Sequence, residues 1–244
     1  MSALDVLKQS VYFYRHLFNK IILISTVSNA LPLLIAPTEQ STLPLPVVFF
    51  ILFASLFCTV WLMVFIHRYS QLQDSSLKAS VTSAFEGLFP ILATFLVMGF
   101  ALTILSFPAA LLGALLGAGQ SEDVQPVIML VCMLIPMLFL SYRWFLAPYA
   151  TLVDGLQPID AIKRSNQQAK TNPLVLRGFL VVAFIFVVYT ASIVILHLMI
   201  AVNPALIEMA KFVINVVVGP ILTIYVYRLY VLTRSPSEED TERD

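Results

Sequence analysis

Three short segments of the chain share a pattern in which an aliphatic residue and a lysine precede a serine. They are Leu7-Lys8-Gln9-Ser10, Leu77-Lys78-Ala79-Ser80 and Ile162-Lys163-Arg164-Ser165. Each is followed by an arginine among aromatic residues, in His67-Arg68-Tyr69, Tyr142-Arg143-Trp144 and Tyr227-Arg228-Leu229-Tyr230. Cations beside aromatic rings are typical of protein surfaces that meet lipid headgroups. The chemistry these residues predict is binding at a membrane interface.

Two interpretations of these cations remain open. In the first they are anchors, because lysine and arginine extend toward headgroups while tyrosine and tryptophan form an interfacial belt. In the second they form three equivalent sites for anionic headgroups. The candidate headgroup contacts are Lys8, Lys78, Lys163, Arg164, Arg68, Arg143 and Arg228.

The two patterns recur in one register. From the serine of each tetrapeptide to the following arginine there are 58, 63 and 63 residues. We therefore predict three internal copies, each with a surface helix followed by two membrane-spanning helices. The copies cover about 2–69, 75–144 and 158–230.

The composition requires lipid as the solvent for most of the chain. It is 59% hydrophobic and only 11% charged, whereas a soluble domain carries about 25% charged residues. Six apolar runs approach or exceed the roughly 20 residues that cross a bilayer. They are 17–36, 45–66, 90–117, 127–142, 173–202 and 204–232. The predicted fold is all-α and polytopic, with one transmembrane domain over 1–234 and a disordered acidic tail at 235–244.

Charge asymmetry predicts the orientation. The turns at 37–44, 118–125 and 203–204 lie on one side of the membrane, and of the 14 lysines and arginines only Lys211 falls on that side. The positive-inside rule then places both termini in the cytoplasm. We expect no cleavable signal peptide, because residues 1–16 are amphipathic.

Other polar residues in the spans have candidate partners. Glu208 and Lys211 are three residues apart and form a candidate intramembrane pair, either as an anchor or as the polar mouth of a cavity. Arg143 is expected to pair with Asp154 or Asp160. Six further polar residues are expected to bond across helices. They are Ser25, Ser28, Asn29, Thr190, Ser192 and Asn215.

Small residues and prolines predict how the spans pack. Ala109, Gly113 and Gly117 have the small-xxx-small spacing that lets two helices approach closely. Packing within the chain is favoured over dimerisation. Three prolines are candidate kinks, since proline removes an intrahelical donor. They are Pro136, Pro148 and Pro220.

No catalytic or metal-binding pattern is present in the sequence. The three histidines lie on different segments, and both cysteines lie inside apolar runs, so no metal site or cofactor is expected. The zero net charge argues against nucleic acid as a partner. The residues in question are His16, His67, His197, Cys58 and Cys132.

The central block resembles the YciC-like family of bacterial inner-membrane proteins. The resemblance rests on Tyr-Arg-Trp at 142–144, Pro148, Val-Asp-Gly at 153–155, 160–165 and the closing 224–230. That family is distantly similar to the membrane domain attached to some glycerophosphodiester phosphodiesterases. The resemblance implies the inner membrane of a Gram-negative bacterium and brings no activity with it.

The leading functional hypothesis is a non-enzymatic membrane protein whose partners are phospholipids. It would organise or transfer phospholipid, or serve as the membrane subunit of an envelope-maintenance assembly with a protein partner. The alternative is a small-solute transporter or channel, which needs a polar path between spans. An enzyme acting on lipid ranks third, because no nucleophile and base, paired carboxylates or metal site is apparent.

Overall fold

The computed structural model describes residues 2–33, 44–73, 76–118, 124–199 and 204–234. Within these ranges every regular element is an α-helix. The helices are α1 Ala3–His16, α2 Phe18–Leu33, α3 Leu45–Ser70, α4 Leu77–Leu116, α5 Val124–Trp144, α6 Ala147–Asp154, α7 Pro158–Thr171, α8 Pro173–Met199 and α9 Pro204–Thr233. The all-α prediction is confirmed for the described residues.

Five helical segments in the described residues are long and apolar enough to cross a membrane. They are Leu45–Ser70, Leu77–Leu116, Val124–Asp154, Pro173–Ile195 and Ile207–Thr233. The chain is therefore a multi-pass integral membrane protein. The first predicted span is represented by the 16 residues of α2, and its continuation lies outside the described residues, as do most of the three predicted turns and the tail at 235–244. The count of six spans stays a prediction.

The surface helices α1 and α7 are amphipathic. In α1 the buried residues recur every third or fourth position, and α7 follows the same pattern. This spacing places them on one helical stripe. That stripe of α1 packs against α9, and that of α7 packs against α5 and α6. The buried residues are Ala3, Val6, Ser10 and Tyr14 in α1, and Ala161, Ser165, Gln168 and Ala169 in α7.

Helix α1 begins with a capping box. The Asp5 backbone N–H donates to Ser2 Oγ at 3.2 Å, and the Ser2 backbone N–H donates to the Asp5 carboxylate at 2.9 Å. These bonds satisfy donors that the first turn of a helix leaves without partners.

The cap makes the start of α1 sensitive to acid. The backbone N–H and the hydroxyl of Ser2 donate to the ionised carboxylate and lower the pKa of Asp5 below 3.8. A lowered folded-state pKa adds stability above the unfolded value and loses it as pH falls through the folded value. We expect amide-exchange protection of residues 3–8, corrected for intrinsic rates, to fall as the pH is lowered below about 4. The exchange of an Asp5→Asn variant should lack this dependence, and an identical profile in both proteins would contradict the capping role.

The second surface segment differs from the prediction of a separate helix followed by a span from Pro90. Residues 77–116 form one continuous helix of 40 residues with Pro90 and Pro108 inside it. Pro90 removes only the bond to the carbonyl of Glu86, and because Glu86 is exposed that carbonyl can be solvated. A proline beside a solvated turn therefore need not end the helix.

The other candidate kinks divide into two classes. Pro136 and Pro220 lie inside α5 and α9. Pro148 instead lies in the first turn of the separate helix α6, where its missing N–H costs nothing. The expectation of a kink at Pro148 is wrong, because the chain starts a new helix there.

The chain forms two compact units, comprising residues Met1–Leu88 with Arg177–Asp244, and Phe89–Leu176. In the first unit α2, α3 and α9 pack together around fully buried aromatic and aliphatic side chains. They include Ile21, Ile24, Phe65, Ile66, Tyr225, Leu229 and Tyr230.

The second unit is centred on α6, most of which is buried. Leu146, Ala147 and Ala150 have no exposed surface, and the Thr94 and Thr151 hydroxyls lie 2.8 Å apart. Gly155 ends α6 with φ of +64°, a left-handed conformation that favours glycine. The Val-Asp-Gly block of the sequence is therefore a helix C-terminus.

Candidate functional site

The three tetrapeptides place serine and lysine on opposite sides of their helices. Ser10 and Ser80 have no exposed surface, and Ser165 is 1% exposed. The lysine two positions earlier is exposed in each case, as expected for a separation of about 200° around a helix. The serine belongs to the packed face and the lysine to the outer face. The exposed lysines are Lys8, Lys78 and Lys163.

Two of the buried serines bond to an element outside their own helix. Ser165 Oγ donates to the backbone carbonyl of Arg143 at 2.8 Å. The Trp61 indole N–H donates to Ser80 Oγ at 2.9 Å. In contrast, Ser10 Oγ donates to the carbonyl of Val6, one turn back in α1, at 2.7 Å. Burial of the serine is common to all three sites, whereas its partner is not.

Each closing arginine donates to the surface segment of a different predicted copy, which in the second copy is the start of α4. The arginine of the first copy bonds to the second, that of the second to the third, and that of the third to the first. The contacts are Arg68 to Ser83 Oγ at 2.7 Å, Arg143 to Asn166 Oδ1 at 3.2 Å, and Arg228 to Gln9 Oε1 at 2.8 Å. The acceptors are all neutral oxygens within three residues of the tetrapeptide serine.

Arg143 is bound differently from the sequence expectation of a carboxylate partner. Its guanidinium donates to Asn166 and lies 4.9 Å from the Phe139 ring centroid. Asp160 instead pairs with Lys163, with 3.1 Å between Oδ1 and Nζ. The Tyr142 hydroxyl donates to the carbonyl of Ala169 in α7. The bonds to Asn166 and to the Ala169 carbonyl fasten the end of α5 to α7. Arg164, the other candidate on α7, is half-buried.

The Lys163–Asp160 pair does not remove this lysine from the surface. The two side chains are 73% and 59% exposed, and an exposed pair at this spacing contributes little free energy because water screens it. Lys163 therefore remains available to an anion in solution or at a headgroup surface.

A cleft of about 410 Å³ lies beside Arg228 in the first unit. Its walls are mainly apolar, and include Ile66, Ile224 and Val231, while Arg228 and Ser70 supply polar groups. The cleft therefore combines one cation with mainly apolar walls.

A hydrogen-bonded cluster lines the same end of α3. The His67 ring nitrogen Nδ1 and the Tyr227 hydroxyl lie 3.2 Å apart, and the Tyr227 hydroxyl also bonds to Ser70. From the sequence, Tyr227 is expected only as an aromatic residue of the membrane interface. The sequence nevertheless contains a signal for these hydrogen bonds, because a ring that can form them precedes the arginine in all three arginine segments. These rings are His67, Tyr142 and Tyr227.

The remaining predicted site residues are the Glu208–Lys211 pair and the small residues of α4. Lys211 Nζ lies 2.6 Å from Glu208 Oε1, and both side chains are partly exposed. Gly113 and Gly117 are buried against α5 of the same chain. Ala109 on the same helix is half-buried. Among the described residues no group of three histidine, cysteine, aspartate or glutamate side chains could hold a metal.

Comparison of the chain with protein-family models, with curated proteins and with solved structures gave no match.

Proposed function

We propose that this multi-pass protein is a non-enzymatic phospholipid-binding protein of a bacterial inner membrane, with both termini in the cytoplasm. It organises or transfers phospholipid, or serves as the lipid-binding membrane subunit of an envelope-maintenance assembly. The observation that carries the proposal is the outward exposure of Lys8, Lys78 and Lys163, each opposite a buried serine. The surface helices α1 and α7 and the first turn of α4 would then present one cation each toward the inner leaflet.

The arginine contacts support three copies of one unit, related to the YciC-like family. Each copy ends in an arginine whose acceptor lies on the surface helix of another copy. This arrangement fixes each surface helix at the end of a span. In the proposed topology that end meets the headgroups, so the arginines position the surface helices and the lysines contact the lipid.

The cleft at Arg228 is the best-defined of the proposed lipid sites. Arg228 donates to Gln9 through two guanidinium nitrogens, to Oε1 at 2.8 Å and to the backbone carbonyl at 3.5 Å, and arginine carries five N–H donors. Donors directed into the cleft would bind a phosphate oxygen, while Leu72, Val231 and Leu232 would contact the start of an acyl chain. The 410 Å³ volume would hold the glycerol-phosphate end of a lipid, with the rest of each chain in the bilayer.

Replacing the three lysines tests the proposal. Each cation near an anionic membrane contributes roughly 1 kcal/mol of attraction. The triple variant Lys8→Glu, Lys78→Glu, Lys163→Glu should therefore lose on the order of 100-fold in preference for anionic over zwitterionic lipid. Native mass spectrometry of the protein released from gentle detergent would measure the ratio of bound phosphatidylglycerol to phosphatidylethanolamine.

A control variant separates specific sites from total charge. Arg15, Lys20 and Lys170 are also exposed and lie outside the tetrapeptides. Replacing all three by glutamate changes the net charge by the same amount and should leave most of the preference intact. Equal losses in both variants, or no loss in the first, would contradict the lysine sites. A chain that carries no bound lipid but retains a second protein would favour a scaffold role.

A further inference from the structure

A second cavity, of about 260 Å³, lies among the middle turns of α2, α3 and α9. Its lining is unusually polar for the interior of a membrane protein. The polar lining residues are Ser25, Ser28, Asn29, Ser55, Thr59, Asn215 and Thr223. Polar groups in hydrocarbon are costly unless they are bonded. Their concentration around one cavity therefore calls for a physical reason.

Proline in α9 accounts for one of these polar groups. Pro220 has no backbone N–H, so the carbonyl of Val216 lacks its partner within the helix. Ser25 Oγ donates to this carbonyl at 3.0 Å and so joins α2 to α9. The predicted cross-helix bond of Ser25 is confirmed, and Ser28 likewise bonds to the Ser55 carbonyl at 3.5 Å. The same prediction is wrong for Asn29 and Ser192, which bond to carbonyls one turn back in their own helices.

The hydroxyl protons around the cavity are already used. Ser25, Ser28, Ser55, Thr59 and Thr223 each donate to a backbone carbonyl. What these groups offer to the cavity is therefore the oxygen lone pairs. The cavity is rich in acceptors and poor in donors.

Asn215 differs from these hydroxyl residues, because its donors are not used. Within the described part of the chain its side-chain amide makes no hydrogen bond, although it lines the cavity and is half-buried. An amide has two donors and an acceptor oxygen, and leaving these unpaired away from water costs about 1–3 kcal/mol. A ligand or water in the cavity would satisfy them.

We propose that this cavity binds a small neutral polar solute of the polyol or amide class. No lining residue carries a formal charge, so an ion would enter the middle of the bilayer without a counter-charge, at a cost of at least about 2.5 kcal/mol. A glycerol-sized molecule would donate its protons to the lone pairs of the hydroxyls and accept from Asn215. The volume also leaves room for water, at ~30 Å³ per molecule. This site is independent of lipid binding at the surface helices.

Gly219 provides a way to close the cavity. It lines the cavity and is exposed, and a Cβ built on it meets no atom within 4 Å. A phenylalanine at this position can therefore occupy the opening without displacing backbone. Gly99 in α4 is the matched control, because its Cβ also meets nothing within 4 Å and it does not line the cavity.

Cys58 reports on the contents of the cavity, which it lines. In a Cys132→Ser background it is the single thiol. The full-length protein in lipid nanodiscs would be treated with iodoacetamide, itself a small neutral amide, and carbamidomethylation of Cys58 would be followed by mass spectrometry. We expect modification, slowed at least several-fold by molar glycerol but not by sodium chloride of equal osmolarity.

The variants decide the interpretation. Gly219→Phe should slow the modification at least several-fold, and Gly99→Phe should not. Asn215→Leu should leave Cys58 reactive but remove the protection by glycerol. An unreactive Cys58 in the native protein, equal rates in the two phenylalanine variants, or protection by sodium chloride in place of glycerol would overturn the proposal.

Discussion

Arg143→Ala is expected to lower the free energy of unfolding by about 1.5–3 kcal/mol, the range for a hydrogen bond that involves a charged group. The variant loses the bond to Asn166 Oδ1 and the contact with the Phe139 ring. The bond to Asn166 holds the end of α5 against α7, whereas Phe139 lies one turn earlier in α5 itself. Denaturation in mild detergent, followed by tryptophan fluorescence, would measure the change.

A double-mutant cycle shows whether the arginine acts through Asn166. Combining Arg143→Ala with Asn166→Ala should give a coupling energy within about 0.5–3 kcal/mol. Arg177→Ala is the control, because Arg177 is exposed and near the start of α8. A coupling indistinguishable from zero would mean that the guanidinium is not held by α7.

The conservative variant separates fastening from lipid binding. Arg143→Lys keeps the charge but loses the planar set of donors. If the arginine mainly positions α7, this variant should lose stability while the lipid preference measured by native mass spectrometry stays unchanged. A variant of unchanged stability with an altered lipid preference would instead assign Arg143 to the headgroup.

Gly113→Val is expected to destabilise the protein by at least about 1–3 kcal/mol, the usual cost of overpacking. A Cβ at this position would lie 2.6 Å from the Met129 Cα and 3.1 Å from the Cys132 Cβ. The first of these is backbone, so a rotamer change cannot relieve the clash, and α4 and α5 must separate. Thermal unfolding in detergent would measure the loss.

Gly99→Val is the matched control for this prediction. It introduces the same β-branched side chain into the same helix, where a Cβ meets nothing within 4 Å. Similar melting temperatures for the two variants would show that α4 and α5 are not in close contact. A changed oligomeric state of Gly113→Val with unchanged stability would instead favour the dimerisation alternative.

Local patterns in the sequence were sufficient to predict that the chain is helical and that most of it lies in lipid. Long apolar runs predict spans because hydrocarbon requires every backbone group to bond within its own helix. The period of apolar residues in α1 and α7 predicts a packed face. The placement of Ser10 and Lys8 on opposite faces follows from helix geometry alone.

Helix boundaries near prolines were less predictable. Pro90 is inside a continuous helix, whereas Pro148 lies in the first turn of one. The difference depends on whether the carbonyl four residues earlier can be solvated, and on what the chain packs against next. Neither is a property of the proline or its neighbours in sequence.

The partners of the three arginines depended on tertiary structure. Their acceptors are Ser83, Asn166 and Gln9, which stand at different distances from the tetrapeptide serine, so no shared sequence pattern marks them. The register of serines and arginines predicted that the sites are equivalent. It could not predict that each arginine bonds to a segment far away in the sequence, because that depends on how separate spans pack.

The sequence by itself determined that the protein is helical, that it is embedded in a membrane and that it carries three sets of cations. Only the tertiary structure decided which polar groups meet. Ser25 and Val216 are 191 residues apart, yet the carbonyl that Pro220 leaves without a donor finds its partner in Ser25. Periodicity and spacing report on neighbours within one helix, whereas a cavity among α2, α3 and α9 exists only once those helices have packed.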